Sequence, residues 1–136
     1  MADPIHVDVV CANGNVWEGD ALSVIARTTE GDVGILPGHE PFLATLVACA
    51  AEILTVDGRR EVVLVYDGFI SVADNRVSVL SQYAQVAKEL DLDAAQHELA
   101  AAEKRLNAGE NDEETMRHYR RAQAQVRAAQ MAEQAA

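Results

Sequence analysis

Few side chains in this sequence stand where they could do chemistry, and His39 is the most conspicuous of them. It lies in residues 31–41, where three glycines and two prolines surround it. A histidine titrates near neutral pH and can serve as a general base, yet no serine or cysteine lies nearby and Glu40 is simply its neighbour. Because glycine and proline give the backbone unusual or fixed angles, the segment predicts a shaped surface loop. In that loop His39 either stabilises a turn or contacts a partner.

The other candidates for chemistry are weaker. Cys11 and Cys49 are the only cysteines, and in a chain that lacks a signal peptide we expect them reduced and buried rather than paired. Asp8, Glu18 and Asp20 could be combined into the acid pair of a hydrolase, but carboxylates at turns are ordinary. The sequence therefore predicts no catalytic residue, no metal site and no resident cofactor.

Charge and hydropathy narrow the possible partners. The 136 residues carry 22 acidic and 11 basic side chains, a net charge of −11, which argues against nucleic acid because phosphate recognition needs clustered positive charge. The N-terminus has no basic region followed by an apolar stretch, and no window reaches the length of a membrane span. We expect no direct insertion into a membrane, and an association with one only through a partner.

The elements that position these residues divide the chain into two parts. Up to about Ser81 the apolar residues recur with period two, which is the period of a β-strand. Asparagine or aspartate followed by glycine at positions 13, 57 and 67 marks turns between the apolar runs. Residues 1–86 are therefore predicted to form a β-sandwich or flattened barrel of about eight to ten short strands.

Residues 87–136 change to a helix-forming composition rich in alanine, glutamine, glutamate and arginine. Leu92, Leu99 and Leu106 repeat every seven residues, and Gly109 can end the first helix in a left-handed conformation. We predict an antiparallel two-helix hairpin with helices at about 91–106 and 112–132. Because the second helix offers mainly alanine, the leucines should provide most of the contact, and the hairpin should be weakly held and detachable.

Two segments give the sequence a family likeness. GDVGILPGHEP at 31–41, and DGFISV at 67–72 with NRVSVL at 75–80, resemble the loop and hairpin signatures of the epsilon subunits of bacterial F-type ATP synthases. The resemblance implies a non-catalytic central-stalk subunit that couples the gamma subunit to the ring of c subunits while protons drive ATP synthesis. It also implies a peripheral position, within the complex, at the cytoplasmic face of the plasma membrane.

The same resemblance assigns contacts to the sandwich. In epsilon subunits the loop that matches Gly38 and His39 faces the c ring. Glu30 matches a family acid that approaches the polar loops of the ring, with a solvated turn acid as the alternative. A sheet face of the family's sandwich also grips gamma. The residues that belong either to that face or to an ordinary core are Trp17, Tyr66, Phe69 and Ile70.

The C-terminal helices carry a regulatory prediction. In bacterial epsilon subunits they can leave the sandwich, extend along gamma and enter the catalytic head of alpha and beta subunits, where basic residues meet acidic segments. This insertion blocks rotation in the hydrolysis direction. Residues 115–130 contain four arginines and no acid. The inhibitory contacts implied by the resemblance, with plain solvation as the alternative, are Arg117, Arg120, Arg121 and Arg127.

An ATP-sensing regulator with a helical lid is the competing interpretation. Some epsilon subunits bind ATP through a motif of Ile or Leu, Asp, two variable residues, Arg and Ala. The matching segment here is LDLDAA at 90–95, where Ala94 takes the place of the arginine. Without that arginine or a glycine-rich phosphate loop, ATP would be at most a weak regulatory ligand. The residues left to bind it are Asp91, Arg105, Arg117 and Arg121.

Overall fold

The computed structural model describes residues 3–135. Within them the alternating apolar segments form nine strands and the alanine-rich segments form two α-helices. The strands are β1 (Ile5–Cys11), β2 (Gly14–Thr28), β3 (Gly31–Ile35), β4 (Phe42–Leu46), β5 (Cys49–Thr55), β6 (Arg60–Val65), β7 (Gly68–Ala73), β8 (Arg76–Ser81) and β9 (Ala84–Val86). A 3₁₀ turn (Ala87–Glu89) leads to α1 (Leu92–Asn107) and α2 (Glu113–Ala135). The predicted sandwich and hairpin are confirmed.

The strands form two layers, and one long strand belongs to both of them. β2 is 15 residues long; its first half pairs with β1 and its second half pairs with β3 and β5. The register shifts between Ala21 and Ser23, where β2 passes from one layer to the other. The first layer has the order β2-β1-β8-β7-β4 and the second has the order β3-β2-β5-β6-β9. Neighbouring strands are antiparallel except β1 and β8.

The alternation of apolar residues turns one side of each strand inward. Ile5, Val7 and Val9 of β1 and Ile70 and Val72 of β7 are at most 2% exposed and belong to one hydrophobic cluster between the layers. Each buried aliphatic side chain contributes about 1.5–3 kcal/mol relative to exposure. The sandwich is therefore a firmly packed platform, which leaves its outer faces and its two ends for contacts.

The two ends of the sandwich present different segments. At the first, named here the Glu30 end, the β2–β3 turn lies beside the start of β7, because Thr28 pairs with Leu46 and Leu46 with the first residue of β7. At the second, named the Asn75 end, the β3–β4 loop meets the β7–β8 turn through a hydrogen bond from Gly38 N–H to Asn75 Oδ1 (2.8 Å). β7 runs between the ends over six residues, which places them about 17 Å apart.

Alanines lie at the centre of the helical hairpin. Ala95 and Ala102 are the buried residues of α1, at 5% and 0% exposed, whereas the three leucines of the predicted stripe are half-buried. Small side chains allow the two helix backbones to approach closely, so the leucines lie at the margin of the contact and not, as predicted, at its centre. A hydrogen bond between Glu98 and His118 Nε2 (2.8 Å) also joins the two helices.

The second half of α2 packs on the outer face of the second layer. Ala124, Ala128 and Met131 are at most 8% exposed and cluster with apolar residues of β6. Two of the three are alanines, which bury little area, so their hydrophobic contribution is small. The structure thus has the hairpin docked on the sandwich, and its detachment stays a prediction.

Candidate functional site

The outer face of the first layer carries an exposed apolar patch, named here the apolar face. It consists of Leu43 on β4, Phe69 on β7 and Leu80 on β8, which are 71%, 52% and 50% exposed. Phe69 pairs directly with Leu80, and Leu43 lies two residues from Thr45, the partner of Phe69 on β4. Outward positions of a half-buried strand are normally polar. Three neighbouring large apolar side chains there mark a surface for another molecule.

The structure separates four residues whose role the sequence left open. Ile70 is fully buried in the core. Tyr66 lies in the cluster beneath α2, and Trp17 is half-buried against the core. Of the four, Phe69 is the one that lies on the apolar face. The core interpretation therefore holds for Ile70, and the contact interpretation remains available to Phe69.

The sequence analysis missed Leu43 and Leu80, although one signal could have found Leu80. Val77 and Val79 take the inward positions of β8 and are at most 1% exposed, so the alternation sends Leu80 outward. Leu43 has no comparable signal, because its strand is short and its neighbours in sequence are apolar on both sides. Its exposure became visible only when β4 was paired with β7.

The β3–β4 loop leads directly into the apolar face. His39 Nδ1 lies 2.7 Å from Glu40 O, the backbone N–H of His39 donates to Leu36 O at 3.1 Å, and the imidazole meets the ring of Phe42 edge-on at 5.8 Å. These contacts make His39 a residue that holds the shape of the loop, which is its turn-stabilising role. Phe42 opens β4 with its side chain packed toward the core, and Leu36 in the same loop is 62% exposed. The loop therefore presents an exposed apolar side chain at the Asn75 end, beside the strands that carry the apolar face.

Glu30 lies at the opposite end of the sandwich from Gly38 and His39. It is exposed in the turn between β2 and β3, where its N–H donates to the Thr28 hydroxyl (3.1 Å) and the hydroxyl donates to Gly31 O (2.9 Å). The two ends are separated by the length of β7, about 17 Å. Glu30 therefore does not share one patch with Gly38 and His39, and the contact of these residues with the c ring stays a prediction.

Arg121 connects α2 to the end of β6, through contacts named here the Arg121 latch. Its Nη2 donates to Asp67 Oδ2 at 3.2 Å, and its guanidinium lies 4.8 Å from the centre of the Tyr66 ring. One turn further along, Gln125 Nε2 donates to the Tyr66 hydroxyl at 2.5 Å. In the described part of the chain, Arg121 Nε is buried and has no acceptor, which costs about 1–3 kcal/mol. The latch is therefore specific, but its net contribution is small.

The other three arginines of the basic stretch point elsewhere. Arg117 lies 3.8 Å from Glu113, one turn back on α2. Arg120 and Arg127 line a groove of about 650 Å³ between α2 and the outer faces of β2 and β5. The four predicted inhibitory contacts are thus divided between different sides of α2. Among the residues the structure describes, the ion pairs of α2 arginines involve Arg117 and Arg121, which leaves Arg120 and Arg127 available.

Asp91 and Arg105, two of the predicted nucleotide ligands, lie far apart on α1. Asp91 caps the helix, because its Oδ1 accepts hydrogen bonds from Asp93 N–H (2.9 Å) and Ala94 N–H (3.3 Å). Arg105 is almost four turns further along, about 21 Å away, and donates to Glu110 (2.8 Å). One small ligand cannot reach both residues. Asp91 and Arg105 therefore do not belong to one small site, and nucleotide binding through the other arginines stays a prediction.

The remaining predicted ligands fall into two separate depressions. Asp91 and Arg121 line a pocket of about 370 Å³ beside Tyr66. Arg105, Arg117 and Arg121 line a second, of about 590 Å³, near the tip of the hairpin. Arg121 is common to both, but its guanidinium is already engaged in the latch. The second depression is also lined by Glu113 and Glu114, whose negative charges oppose the binding of a phosphate.

His6 lies between two carboxylates on the same outer face as the apolar patch. Its Nδ1 is 3.0 Å from Asp20 and its Nε2 is 2.8 Å from Glu18. The hydrogen bonds to Asp20 and Glu18 raise the pKa of His6, and the bond with His6 lowers the pKa of Glu18. This cluster favours the protonated imidazole. It ties β1 to β2 at the surface and shows no arrangement for nucleophilic chemistry.

Residues 3–135 contain no group of three or more His, Cys, Asp or Glu side chains that could hold a metal ion. Cys11 and Cys49 are unpaired, and burial raises the pKa of the Cys49 thiol, which keeps it protonated. Within the same residues, neither helix combines the length and hydropathy that spanning a bilayer requires.

Comparison with known proteins gives consistent matches. Residues 4–87 match the family model described as ATP synthase, Delta/Epsilon chain, beta-sandwich domain. The ATP synthase epsilon chain of Cutibacterium acnes is 42% identical over 95% of this chain and 94% of the relative, and that of Streptomyces avermitilis is 46% identical over 71% and 77%. A chain in the Euglena gracilis mitochondrial ATP synthase (OSCP/F1/c-ring) shares the fold, with TM-score 0.78, 20% identity and coverage of 97% of this chain and 82% of that chain.

Proposed function

The chain belongs to the family of ATP synthase epsilon chains, and we propose that it acts in the rotor, where it joins the gamma subunit to the c ring of a proton-driven enzyme. The observation that carries this proposal is the apolar face on a firmly packed sandwich. Such a platform can bind one partner laterally and a second partner at one end. Catalysis then belongs to the alpha and beta subunits, and this chain is a non-catalytic, peripheral component at the cytoplasmic face of the plasma membrane.

Gamma is assigned to the apolar face and to the neighbouring β3–β4 loop. Phe69 is 52% exposed, so covering it would contribute about half of the ~1.5–3 kcal/mol for a full side chain, and Phe69→Thr should weaken gamma binding about 4–12-fold, measured by calorimetry with purified gamma. Leu54→Thr is the matched control, because Leu54 is 38% exposed on the outer face of the second layer. Equal affinity of the Phe69 variant and the parent chain would reject the assignment.

The c ring is assigned to the Glu30 end. The turn there is polar and solvated, which suits the polar loops of a ring, whereas the exposed Leu36 lies at the other end, beside the strands of the apolar face. A photoreactive residue at position 30 should therefore cross-link to c subunits in the assembled enzyme, and one at position 39 should cross-link to gamma. The reverse pattern would contradict this assignment and would place the Asn75 end against the c ring.

The helical hairpin is assigned the role of a brake on ATP hydrolysis. Its small apolar contact with β6 and the two available arginines, Arg120 and Arg127, support release of the hairpin and contact with acidic segments of the catalytic head. Truncation after residue 87 should raise ATP hydrolysis by the assembled enzyme without loss of assembly. Alanine at Arg117, Arg120, Arg121 and Arg127 together should do so in part. Unchanged hydrolysis after truncation would exclude the brake.

ATP is assigned at most a weak regulatory role, and no resident cofactor is proposed. Ala94 stands where the family motif has arginine, and the distance between Asp91 and Arg105 supports this assignment. Titration calorimetry of the purified chain with Mg-ATP should give no heat of binding at micromolar concentrations. Micromolar affinity together with compaction of the hairpin would favour the ATP-sensing regulator instead.

A further inference from the structure

Asn75 connects three segments that are distant in the sequence. Its Oδ1 accepts a hydrogen bond from Gly38 N–H (2.8 Å), and its Nδ2 donates to Asp3 O (3.2 Å) and Pro4 O (3.4 Å). The backbone carbonyl of Asn75 also accepts from His6 N–H (3.0 Å). One residue of the β7–β8 turn therefore holds both the β3–β4 loop and the segment before β1.

The local backbone explains why an asparagine can do this. Asn75 has φ of +62°, in the left-handed region that asparagine and glycine tolerate best. The oxygen of its side-chain amide faces a backbone N–H donor, and the nitrogen faces two backbone carbonyl acceptors. This arrangement fixes which way the amide is oriented. A glycine would fit the same backbone but could make neither contact.

The loop has little else to hold it. Within the described residues, the hydrogen bond to Asn75 is the one that links residues 36–41 to another segment, since the bond from His39 N–H to Leu36 O lies inside the loop. Leu36 is exposed, and so is Gly38, whose φ is +84°. The other contact of the loop, between the rings of His39 and Phe42, is made to the residue at the start of β4, so the loop is expected to become more mobile when the bond to Asn75 is removed.

We propose that Asn75 is a positioning residue for partner binding: it holds residues 36–39, including the exposed Leu36, beside the strands that carry the apolar face. This inference rests on the proposed function, because the partner in question is gamma. In the free chain Asn75 holds both the loop and the segment before β1. Because Asn75 already orders the loop, binding of gamma loses less conformational entropy. Removal of the Asn75 side chain should therefore weaken that binding.

Three variants test the proposal. Asn75→Gly keeps the left-handed backbone and removes both side-chain contacts, whereas Asn75→Asp keeps an acceptor for Gly38 N–H. Asp74→Gly is the matched control, because Asp74 has φ of +52° in the same turn and its side chain makes no hydrogen bond to the residues described here. Each variant is compared with the parent chain for thermal unfolding, for amide exchange of residues 36–41 and for affinity toward purified gamma.

The proposal predicts a specific pattern. Asn75→Gly should speed exchange of the Gly38 amide about 5-fold or more and weaken gamma binding about 3-fold or more, with a modestly lower unfolding midpoint because the contacts to Asp3 and Pro4 are also lost. Asn75→Asp should restore part of both effects, and Asp74→Gly should change neither. Unchanged exchange in Asn75→Gly would overturn the fastening, and faster exchange with unchanged affinity would overturn its role in binding. If the parent chain fails to bind gamma, the proposed function fails instead, while the exchange data still report on the fastening.

Discussion

Replacing Asp67 with asparagine tests whether the Arg121 latch controls the docked hairpin. The two side chains of the ion pair are 31% and 46% exposed, so the pair contributes about 0.2–1 kcal/mol. The contact of Arg121 with the Tyr66 ring remains in this variant and contributes about 0.5–1 kcal/mol. Loss of the ion pair alone should therefore raise the undocked fraction about 1.4–5-fold.

The proposed brake also predicts the direction in which ATP hydrolysis changes. If an undocked hairpin brakes the enzyme, Asp67→Asn should lower hydrolysis, because more molecules have a free hairpin. Arg121→Ala also removes the latch, but it deletes one of the proposed contacts with the catalytic head. It should therefore lower hydrolysis less than Asp67→Asn, or raise it. Asp74→Asn, which removes the same charge from the β7–β8 turn at the Asn75 end, is the control and should change nothing.

Docking is measured directly by the distance between two spin labels. With Cys11 and Cys49 replaced, labels at Glu103 on α1 and at Arg59 in the β5–β6 turn report whether the hairpin lies on the sandwich. We expect a second, longer distance whose population grows in Asp67→Asn. An unchanged distance distribution, or increased hydrolysis in Asp67→Asn, would refute the idea that the latch restrains a brake.

Three further predictions follow from other contacts. Because the pKa of His6 is raised in the folded chain, its ion pairs stabilise the fold fully below about pH 6.5. That stabilisation is lost as the pH rises through the folded-state pKa. The unfolding midpoint of His6→Gln should therefore lie below that of the parent at pH 6 and approach it at pH 9. Gly68→Ala should cost about 3 kcal/mol or more in denaturant unfolding, because a Cβ there would lie 2.8 Å from Ser81 Cα, whereas Gly34→Ala, with no atom within 4 Å, should be near neutral. Ala128→Asp, at a fully buried position of α2, should undock the hairpin in the spin-label assay while the sandwich keeps its own unfolding transition.

The sequence determined the architecture of this chain because that information is local. Period-two alternation, turn dipeptides and the change to an alanine-rich composition each depend on residues a few positions apart. They gave the sandwich, the hairpin and helix bounds within three residues of those observed. The family resemblance could be recognised for the same reason, since the loop at 31–41 is one continuous segment. Within that segment, His39 was also correctly considered as a residue that stabilises a turn.

Tertiary structure alone decided which residues share a surface. Glu30 and His39 are nine positions apart in the sequence but lie at opposite ends of the sandwich, because β3 runs between them. Asn75 and Gly38 are 37 positions apart and are hydrogen-bonded. Leu43 joins Phe69 and Leu80 through the register of β4, β7 and β8, and that register is set by packing of the whole core. Composition and periodicity carry no information on such pairings, because they arise only when distant segments pack together.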